Sequence, residues 1–304
     1  MIVKITPGKL NGTISAPPSK SFLHRLLICA ALSKGESQIG NQAESQDILA
    51  TKDCIQALNQ KPAKNIIPVF NCRESGSTLR FFVPIALAIH GKALFTGAPR
   101  LMERGIGIYE DLFTERNIEV SKDANGLLLT GRLPSGDYSV PGGVSSQYIS
   151  GLLFALPLLK GNSTIKVIPP IESRAYIDLT LAVLKQAGIK ITEKEKNTFE
   201  IKGSQKYKTL KCDAEGDWSN AAFFYALNHF GNNIEITGLN KDSGQGDKVC
   251  VKDFDLLESA GSSVSIAESI DLGPVLMAYA AAKHGGTLTD TARLRIKESD
   301  RALV

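Results

Sequence analysis

The feature that most constrains the fold of this chain is an order of segments that recurs five times. Each copy opens with small polar residues, continues as an apolar run of helical length and ends at a glycine. Ser and Asp cap helix N-termini, and Gly commonly ends helices, so each copy predicts one buried helix. The copies open at Ser19, Ser75, Ser145, Asp217 and Ser269 and end at Gly35, Gly91, Gly161, Gly231 and Gly285.

A short β-branched alternation follows each glycine, and a second, amphipathic helix comes after it. In the third copy these are residues 163–168 and 176–187. Period-2 alternation indicates a strand, whereas apolar residues three and four apart indicate a helix. The spacing of the copies is too irregular for a solenoid and indicates a repeated βαβαβ-type unit. Four units look whole, and we expect the fifth to break off at residues 301–304, where its second helix should start.

Composition excludes several classes of protein. The 304 residues are 43% hydrophobic and 22% charged, with a formal net charge of +4, which suits anionic ligands but not nucleic acid. No apolar run reaches the roughly 18 residues of a membrane span. The five cysteines and four histidines are scattered, so we expect neither disulfides nor a metal site. With no signal peptide predicted at the N-terminus, we expect a cytoplasmic, monomeric protein without a cofactor.

Charged and hydroxyl residues gather at several predicted helix entrances. A helix N-terminus has unpaired N–H groups and a partial positive charge, so it can bind phosphate or carboxylate. For any single entrance, a simple capping role is the more common interpretation. Basic residues close to these entrances favour instead a ligand with more than one anionic group: Lys20, Arg25, Arg104, Lys297 and Arg301.

Five ordered motifs carry a resemblance to a known family. They are Pro17-Pro18-Ser19-Lys20-Ser21 with His24-Arg25, then Glu74-Ser75-Gly76-Ser77-Thr78-Leu79-Arg80, Pro99-Arg100-Leu101-Met102-Glu103-Arg104, Val144-Ser145-Ser146-Gln147, and Leu294-Arg295-Ile296-Lys297-Glu298-Ser299-Asp300-Arg301. A sixth, looser match covers residues 269–275. With these motifs the chain resembles the 5-enolpyruvylshikimate-3-phosphate synthases, from about Gly8 to Arg301.

The resemblance implies a reaction without a cofactor and two substrates, shikimate 3-phosphate and phosphoenolpyruvate. The positions that match the shikimate 3-phosphate site are Lys20, Ser21, Arg25, Ser145, Ser146, Gln147, Ser173, Asp271 and Lys297. The positions that match the phosphoenolpyruvate site are Lys20, Gly76, Arg104, Gln147 and Arg301. Tyr176 matches a position near the shikimate ring.

The resemblance also implies catalytic roles for three residues. Asp271 is the candidate to accept the proton of the attacking hydroxyl, and Glu298 the candidate to protonate the methylene carbon. Lys20 would stabilise negative charge in the intermediate. Taken without the other motifs, the charged run from Lys297 to Arg301 would be interpreted as a solvated helix surface.

The fold implied by the resemblance is α/β, the two-domain enolpyruvyl-transferase fold (an inside-out α/β barrel) of repeated βαβαββ units with substrates in the cleft between the domains. Residues 20–213 would form a complete three-unit domain. Residues 1–19 plus 214–304 would form a second, discontinuous domain that lacks its last unit. Because that unit contributes basic residues to the phosphoenolpyruvate site, we expect this chain alone to be poorly active or inactive.

Two alternatives stay open. A UDP-N-acetylglucosamine enolpyruvyl transferase would share the fold, but its signature pairs Lys with Asn where this chain has Lys20-Ser21, and it usually carries a reactive loop cysteine. A non-catalytic ligand-binding fragment is the second alternative. The presence of Lys20, Asp271 and Glu298 together favours the transferase.

Overall fold

The computed structural model describes residues 3–4, 6–60, 66–296 and 299–303, with the side chain of residue 296 left out. The chain divides into two compact units. The continuous unit comprises Lys20–Ala214, and the discontinuous unit comprises Met1–Ser19 together with Glu215–Val304. Both units alternate helices and strands.

The continuous unit contains seven α-helices and a short 3-10 helix, Leu156–Leu158, among its described residues. The α-helices are α1 (Lys20–Leu32), α2 (Gln46–Leu58), α3 (Gly76–Ile89), α4 (Pro99–Arg104), α5 (Gly107–Thr114), α6 (Ser146–Ala155) and α7 (Arg174–Gln186). Its strands, numbered along the whole chain, are β2 (Gln38–Gly40), β3 (Val69–Asn71), β4 (Lys92–Thr96), β5 (Glu119–Asp123), β6 (Gly126–Thr130), β7 (Asp137–Pro141), β8 (Ser163–Ile168), β9 (Ile191–Glu195), β10 (Thr198–Ile201) and β11 (Lys211–Asp213).

Two four-stranded sheets of the continuous unit repeat one topology. Their strand orders are β3-β4-β6-β5 and β7-β8-β10-β9. In each sheet the first two strands are parallel, and the last two form an antiparallel hairpin that joins the sheet beside the second strand. A parallel pair needs a helical crossover, which α3 supplies in one sheet and α6 in the other.

The core of the continuous unit lies around α3 and α6. Helix α3 is buried on nearly every side, which explains why its sequence is uniformly apolar from Phe81 to Ile89. Gly151 lets α6 approach closely, since a β-carbon there would collide with the Arg80 carbonyl and the Tyr109 hydroxyl. Aromatic rings fill the rest, as where Phe70 and Phe95 stack with centroids 4.9 Å apart.

The discontinuous unit has a smaller core of its own. Its described elements are β1 (Asn11–Ser15), α8 (Trp218–His229), β12 (Asn233–Thr237), α9 (Cys250–Leu257), β13 (Ser263–Ser265), α10 (Gly273–Ala282) and β14 (Thr287–Thr289), with short 3-10 helices at Gly246–Val249, Ile270–Leu272 and Ala292–Ile296. Strands pair in parallel as β1·β12 and β13·β14. Trp218, Phe254 and Tyr279 are the largest side chains of its core.

The predicted order of a helix, a strand and a second helix occurs four times among the described residues, as α1-β2-α2, α3-β4-α4-α5, α6-β8-α7 and α8-β12-α9. Among the described residues, only the two four-stranded sheets show the complete βαβαββ order. The closing hairpins of these sheets are β5-β6 and β9-β10. Strand β11 follows the second hairpin and pairs in parallel with β2.

Candidate active site

Polar residues begin the first helix of each repeat in the continuous unit, as the sequence predicts. The Ser75 hydroxyl accepts a hydrogen bond from the Thr78 amide at the start of α3. At the start of α6, the Ser145 hydroxyl accepts one from the Gln147 amide. These are N-cap bonds, which leave the other first-turn N–H groups available to an anion.

Lys20, the first residue of α1, is paired with a carboxylate. Its ammonium lies 2.6 Å from Oδ2 of Asp47, on the first turn of α2. The Lys20 side chain is half exposed, so the pair contributes little to stability. Burial raises the pKa of Asp47, but the charge and hydrogen bond of Lys20 and a hydrogen bond from Ser75 outweigh burial, so the pKa of Asp47 lies below its usual value. Asp47 is therefore an ionised partner that orients Lys20.

Two guanidinium groups converge on Gly76, at the first turn of α3. A β-carbon on Gly76 would lie 2.6 Å from Nη1 of Arg80 and 3.5 Å from Nη1 of Arg104. The side chain of Arg80 is buried, and its Nε has no hydrogen-bond partner in the described part of the chain. Two cations beside a helix N-terminus repel one another unless an anion lies between them, so this geometry indicates an anion site.

Gln147 connects this cluster to the entrance of α6. Its side-chain oxygen accepts a hydrogen bond of 2.8 Å from Nη1 of Arg80, and its amide nitrogen donates one of 2.8 Å to the Ser77 hydroxyl. The amide is thereby fixed in one orientation between α3 and α6. The structure thus brings together Gly76, Arg104 and Gln147, three of the residues predicted for phosphoenolpyruvate.

Arg25 lies one and a half turns along α1 and is held by three hydrogen bonds. Its Nε donates to the Thr180 hydroxyl at 2.8 Å, while Nη1 and Nη2 donate to the carbonyl oxygens of Ser21 and Tyr176. Burial lowers the pKa of Arg25 to about 10, with smaller opposing contributions from Tyr176 and Cys29, and the group remains charged at neutral pH. These bonds use three of its five N–H groups. The Arg25 guanidinium group is therefore held in one orientation and keeps two N–H groups that can donate hydrogen bonds to an anion.

Ser173 precedes α7 with a left-handed backbone, at φ 56° and ψ 41°. Such a conformation is uncommon for a residue with a β-carbon and costs on the order of 1 kcal/mol. Tyr176 follows in the first turn of α7, and its ring lies 5.9 Å from the Arg25 guanidinium carbon. Ser146 is buried at the start of α6.

The candidate residues of the discontinuous unit are only partly described. Asp271 lies in a 3-10 turn ahead of α10, and its Oδ1 accepts a hydrogen bond of 2.8 Å from Nη1 of Arg301. Lys297 and Glu298 lie outside the described residues. No group of three or more His, Cys, Asp or Glu side chains suited to a metal ion occurs in the described part of the chain.

Sequence comparison decides which family these motifs represent. The sequence model of the EPSP synthase (3-phosphoshikimate 1-carboxyvinyltransferase) family matches residues 5–304. The chain belongs to the EPSP synthase family. A relative from Clostridium kluyveri, named 3-phosphoshikimate 1-carboxyvinyltransferase, is 40% identical over 98% of this chain and 78% of its own length. A relative of the same name from Clostridium perfringens is 41% identical over 98% of this chain and 79% of its own length.

Solved structures support the fold assignment. A structure of EPSP synthase from Acinetobacter baumannii superposes with a TM-score of 0.76 at 19% identity, covering 97% of this chain and 77% of that one. The predicted α/β enolpyruvyl-transferase fold is therefore confirmed. Among the described residues, no helix is both long and apolar enough to span a membrane.

Two charged residues of the cluster were not predicted as site residues. Arg80 belongs to a quoted motif, and its position four residues after Gly76 places it on the same helix face. Asp47 lies on the first turn of α2, just after the cap Ser45, and belongs to none of the motifs that carry the resemblance. The residues next to Lys20 and Asp47 in the sequence do not predict that these two side chains form an ion pair.

Proposed function

We propose that this chain transfers the enolpyruvyl group of phosphoenolpyruvate to the 5-hydroxyl of shikimate 3-phosphate and releases phosphate, a step of aromatic amino acid biosynthesis. The observation that carries the proposal is the anion site where Arg80 and Arg104 converge on Gly76 at the entrance of α3. Family membership supplies the identity of the anion, since the relatives are named for carboxyvinyl transfer to 3-phosphoshikimate.

On this proposal the arginine cluster binds phosphoenolpyruvate. Arg104 and Gln147 contact its phosphate and carboxylate, Gly76 leaves room for it, and Arg301 adds a further cation. Guanidinium forks suit both anionic groups because each can donate two parallel hydrogen bonds. Lys20 stabilises the charge that develops in the tetrahedral intermediate.

Shikimate 3-phosphate is bound by hydroxyls, amides and cations at helix entrances. We assign this role to Lys20, Ser21, Arg25, Ser145, Ser146, Gln147, Ser173, Asp271 and Lys297. The three hydrogen bonds that fix Arg25 support its assignment because a preorganised fork loses little side-chain entropy on binding.

Two proton transfers form the tetrahedral intermediate. Asp271 takes the proton of the 5-hydroxyl as its oxygen attacks C2 of phosphoenolpyruvate, and Glu298 gives a proton to C3. Phosphate then leaves from C2 while the C3 methyl group returns a proton to the Glu298 carboxylate, which re-forms the C2–C3 double bond of the enolpyruvyl group. Arg301 next to Asp271 supports the assignment, since a nearby cation keeps a carboxylate ionised and able to accept a proton.

A coupled phosphate-release assay with both substrates tests the proposal. We expect release that requires shikimate 3-phosphate and that falls at least about 100-fold in Lys20→Met and Asp271→Asn, in line with the usual cost of losing general-base or electrostatic catalysis. Calorimetry with shikimate 3-phosphate and with UDP-N-acetylglucosamine separates the alternatives. Binding of the sugar nucleotide instead, or of neither ligand, would overturn the proposal.

Two further points belong to the proposal. We place the enzyme in the cytoplasm, and the cysteines, which occur as free thiols in the structure, are compatible with a reducing compartment. Monomeric state and low activity of the chain alone stay predictions, which light scattering and the same assay address.

A further inference from the structure

A file of buried polar side chains connects the Lys20 segment to the Glu74–Arg80 segment within the continuous unit. It runs from His24 on α1 through Thr51 on α2 to Thr78 and Ser75 on α3. Exposure of each of the four is 1% or less. Burying a polar group costs free energy unless the group is hydrogen-bonded. Four buried polar side chains in a row are therefore expected to be hydrogen-bonded to one another in a defined way.

The distances along the file are those of continuous hydrogen bonding. Nδ1 of His24 lies 2.6 Å from the Thr51 hydroxyl, which lies 2.9 Å from the Thr78 hydroxyl. The Thr78 hydroxyl lies 2.8 Å from that of Ser75. The Ser75 hydroxyl in turn lowers the pKa of the Asp47 carboxyl, whose Oδ2 is 2.6 Å from the Lys20 ammonium.

The bond between Thr78 and Ser75 sets the direction of the file. The Thr78 hydroxyl donates its proton to Ser75, with the Asp47 carbonyl oxygen as a weaker acceptor at 3.5 Å, so Thr78 accepts a hydrogen bond from Thr51. The proton of Thr51 is used at Thr78, and Thr51 therefore accepts a hydrogen bond from Nδ1 of His24. Ser75 only accepts within the file, which leaves its own proton for the Asp47 carboxylate.

The environment of Nε2, the second ring nitrogen of His24, also favours a proton on Nδ1. Nε2 of His24 is buried and has no hydrogen-bond partner among the described residues. A proton on Nε2 would leave a buried N–H unsatisfied, whereas a proton on Nδ1 is used. Burial lowers the pKa of His24 to about 3, with Asp47 opposing and Lys20 and Arg25 adding to the shift, so the ring is neutral.

We propose that His24 is a positioning residue that, as the Nδ1–H tautomer, sets the direction of the Thr51–Thr78–Ser75 file and so holds the Asp47 carboxylate against Lys20. His24 touches no substrate in this role. If the side chain at position 24 accepted a hydrogen bond from Thr51 instead of donating one, the three hydroxyls could all donate in the opposite direction. Asp47 would then lose the hydrogen bond from Ser75. Its catalytic consequence rests on the proposed function, because that function assigns Lys20 to the intermediate.

Nitrogen NMR tests the direction of the file without turnover. The full chain labelled with ¹⁵N-histidine has four imidazoles, and the His24→Asn spectrum identifies the signal of His24. We expect a protonated Nδ1, an unprotonated Nε2 and no titration between pH 5 and pH 8. A proton on Nε2, or an imidazole that titrates in this range, would overturn the proposal.

Carbon NMR of the Asp47 carboxyl tests the other end of the file. In Thr51→Val the hydroxyl that connects His24 to Thr78 is removed, and we expect the pKa of Asp47 to rise. Thr51→Ser keeps the hydroxyl and should restore the lower value. An Asp47 titration that is the same in Thr51→Val as in Thr51→Ser and wild type would refute the role of the file.

Turnover then tests the catalytic consequence with matched variants. Asn can place an N–H₂ group where Nδ1 lies, whereas the longer Gln places its amide nearer the position of Nε2. We expect His24→Gln and Thr51→Val to lower kcat roughly 10–100-fold with little change in either KM, since small misplacements of a catalytic group cost that much. His24→Asn and Thr51→Ser should stay within about threefold of wild type.

The outcomes separate the two proposals. A wild-type chain that does not bind shikimate 3-phosphate contradicts the proposed function, while the two NMR measurements still decide the direction of the file. Normal kcat in His24→Gln and Thr51→Val, in an active wild-type background, contradicts the positioning role alone.

Discussion

Gly76 lies at the centre of the proposed phosphoenolpyruvate site. Because it has no side chain, the guanidinium groups of Arg80 and Arg104 can lie close to the helix N-terminus. In Gly76→Ala the new methyl group would lie 2.6 Å from Nη1 of Arg80, so the guanidinium must move. Arg80 would then lose its hydrogen bond to Gln147. We expect the KM for phosphoenolpyruvate to rise about tenfold, equivalent to about 1.4 kcal/mol, with the KM for shikimate 3-phosphate nearly unchanged. Steady-state kinetics with each substrate varied in turn measure both.

Gly107 provides the control for this substitution. It also begins a helix, and a β-carbon there would have no atom within 4 Å, so Gly107→Ala should leave both KM values unchanged. Equal KM values for phosphoenolpyruvate in wild type and Gly76→Ala would show that Arg80 does not contact this substrate.

Residue chemistry was predictable from the sequence only where a motif fixed the neighbours along the chain. Lys20, Gly76, Arg104 and Gln147 lie in such motifs; the structure brings the last three close together, and their role in one binding site stays a prediction. Asp47 was not expected, because the contact with Lys20 joins residues 27 apart through tertiary packing. The hydroxyl file from His24 to Ser75 was not predicted for the same reason, since no local sequence pattern encodes hydrogen bonds between three separate helices.

Helix α8 depends on a capping residue that can be tested alone. Oδ1 of Asp217 accepts the amide of Ser219 at 2.8 Å, and Oδ2 accepts the side chain of Asn220 at 3.1 Å. We expect Asp217→Ala to destabilise the discontinuous unit by about 1 kcal/mol, the usual cost of a lost N-cap. Urea unfolding followed by the fluorescence of Trp218, the chain's single tryptophan and the first residue of α8, measures it.

The substitution Asp217→Asn distinguishes the stabilisation of α8 by the N-cap hydrogen bond from its stabilisation by the negative charge. Asn keeps an acceptor oxygen and caps helices as well as Asp does, so its unfolding midpoint should match that of wild type. If Asn destabilises as much as Ala, the negative charge near the helix N-terminus, and not the hydrogen bond, is what stabilises α8.

The elements themselves followed the sequence closely where caps and stops were present. Ser75, Ser145 and Asp217 cap α3, α6 and α8 as predicted, and Gly91 and Gly231 adopt positive φ just beyond the helix ends. Strand β8 covers the predicted residues 163–168. The closing hairpins β5-β6 and β9-β10 belong to the βαβαββ unit that the resemblance implies, and helix and strand periodicity alone does not predict them.

At the scale of the whole molecule, each unit has a core made only of its own residues. The core of the continuous unit spans Phe22 to Ala214 and is built on two four-stranded sheets. Fifteen buried residues form the core of the discontinuous unit, which has only two-stranded pairs in the part described. A small core buries a lower fraction of the surface that its chain exposes on unfolding, so the two units should differ in stability.

We therefore expect the discontinuous unit to unfold at a lower urea concentration than the continuous unit. Fluorescence of Trp218, which is buried and stacked on Tyr225, reports the discontinuous unit, whereas far-ultraviolet circular dichroism is dominated by the helices of the continuous unit. The fluorescence midpoint should come first, and hydrogen exchange at that urea concentration should expose the amides of α8 and α9 while those of α3 and α6 stay protected. Coincident midpoints with exchange spread equally over both units would mean that the chain unfolds as one cooperative body, and that the smaller core is stabilised by more than its own packing.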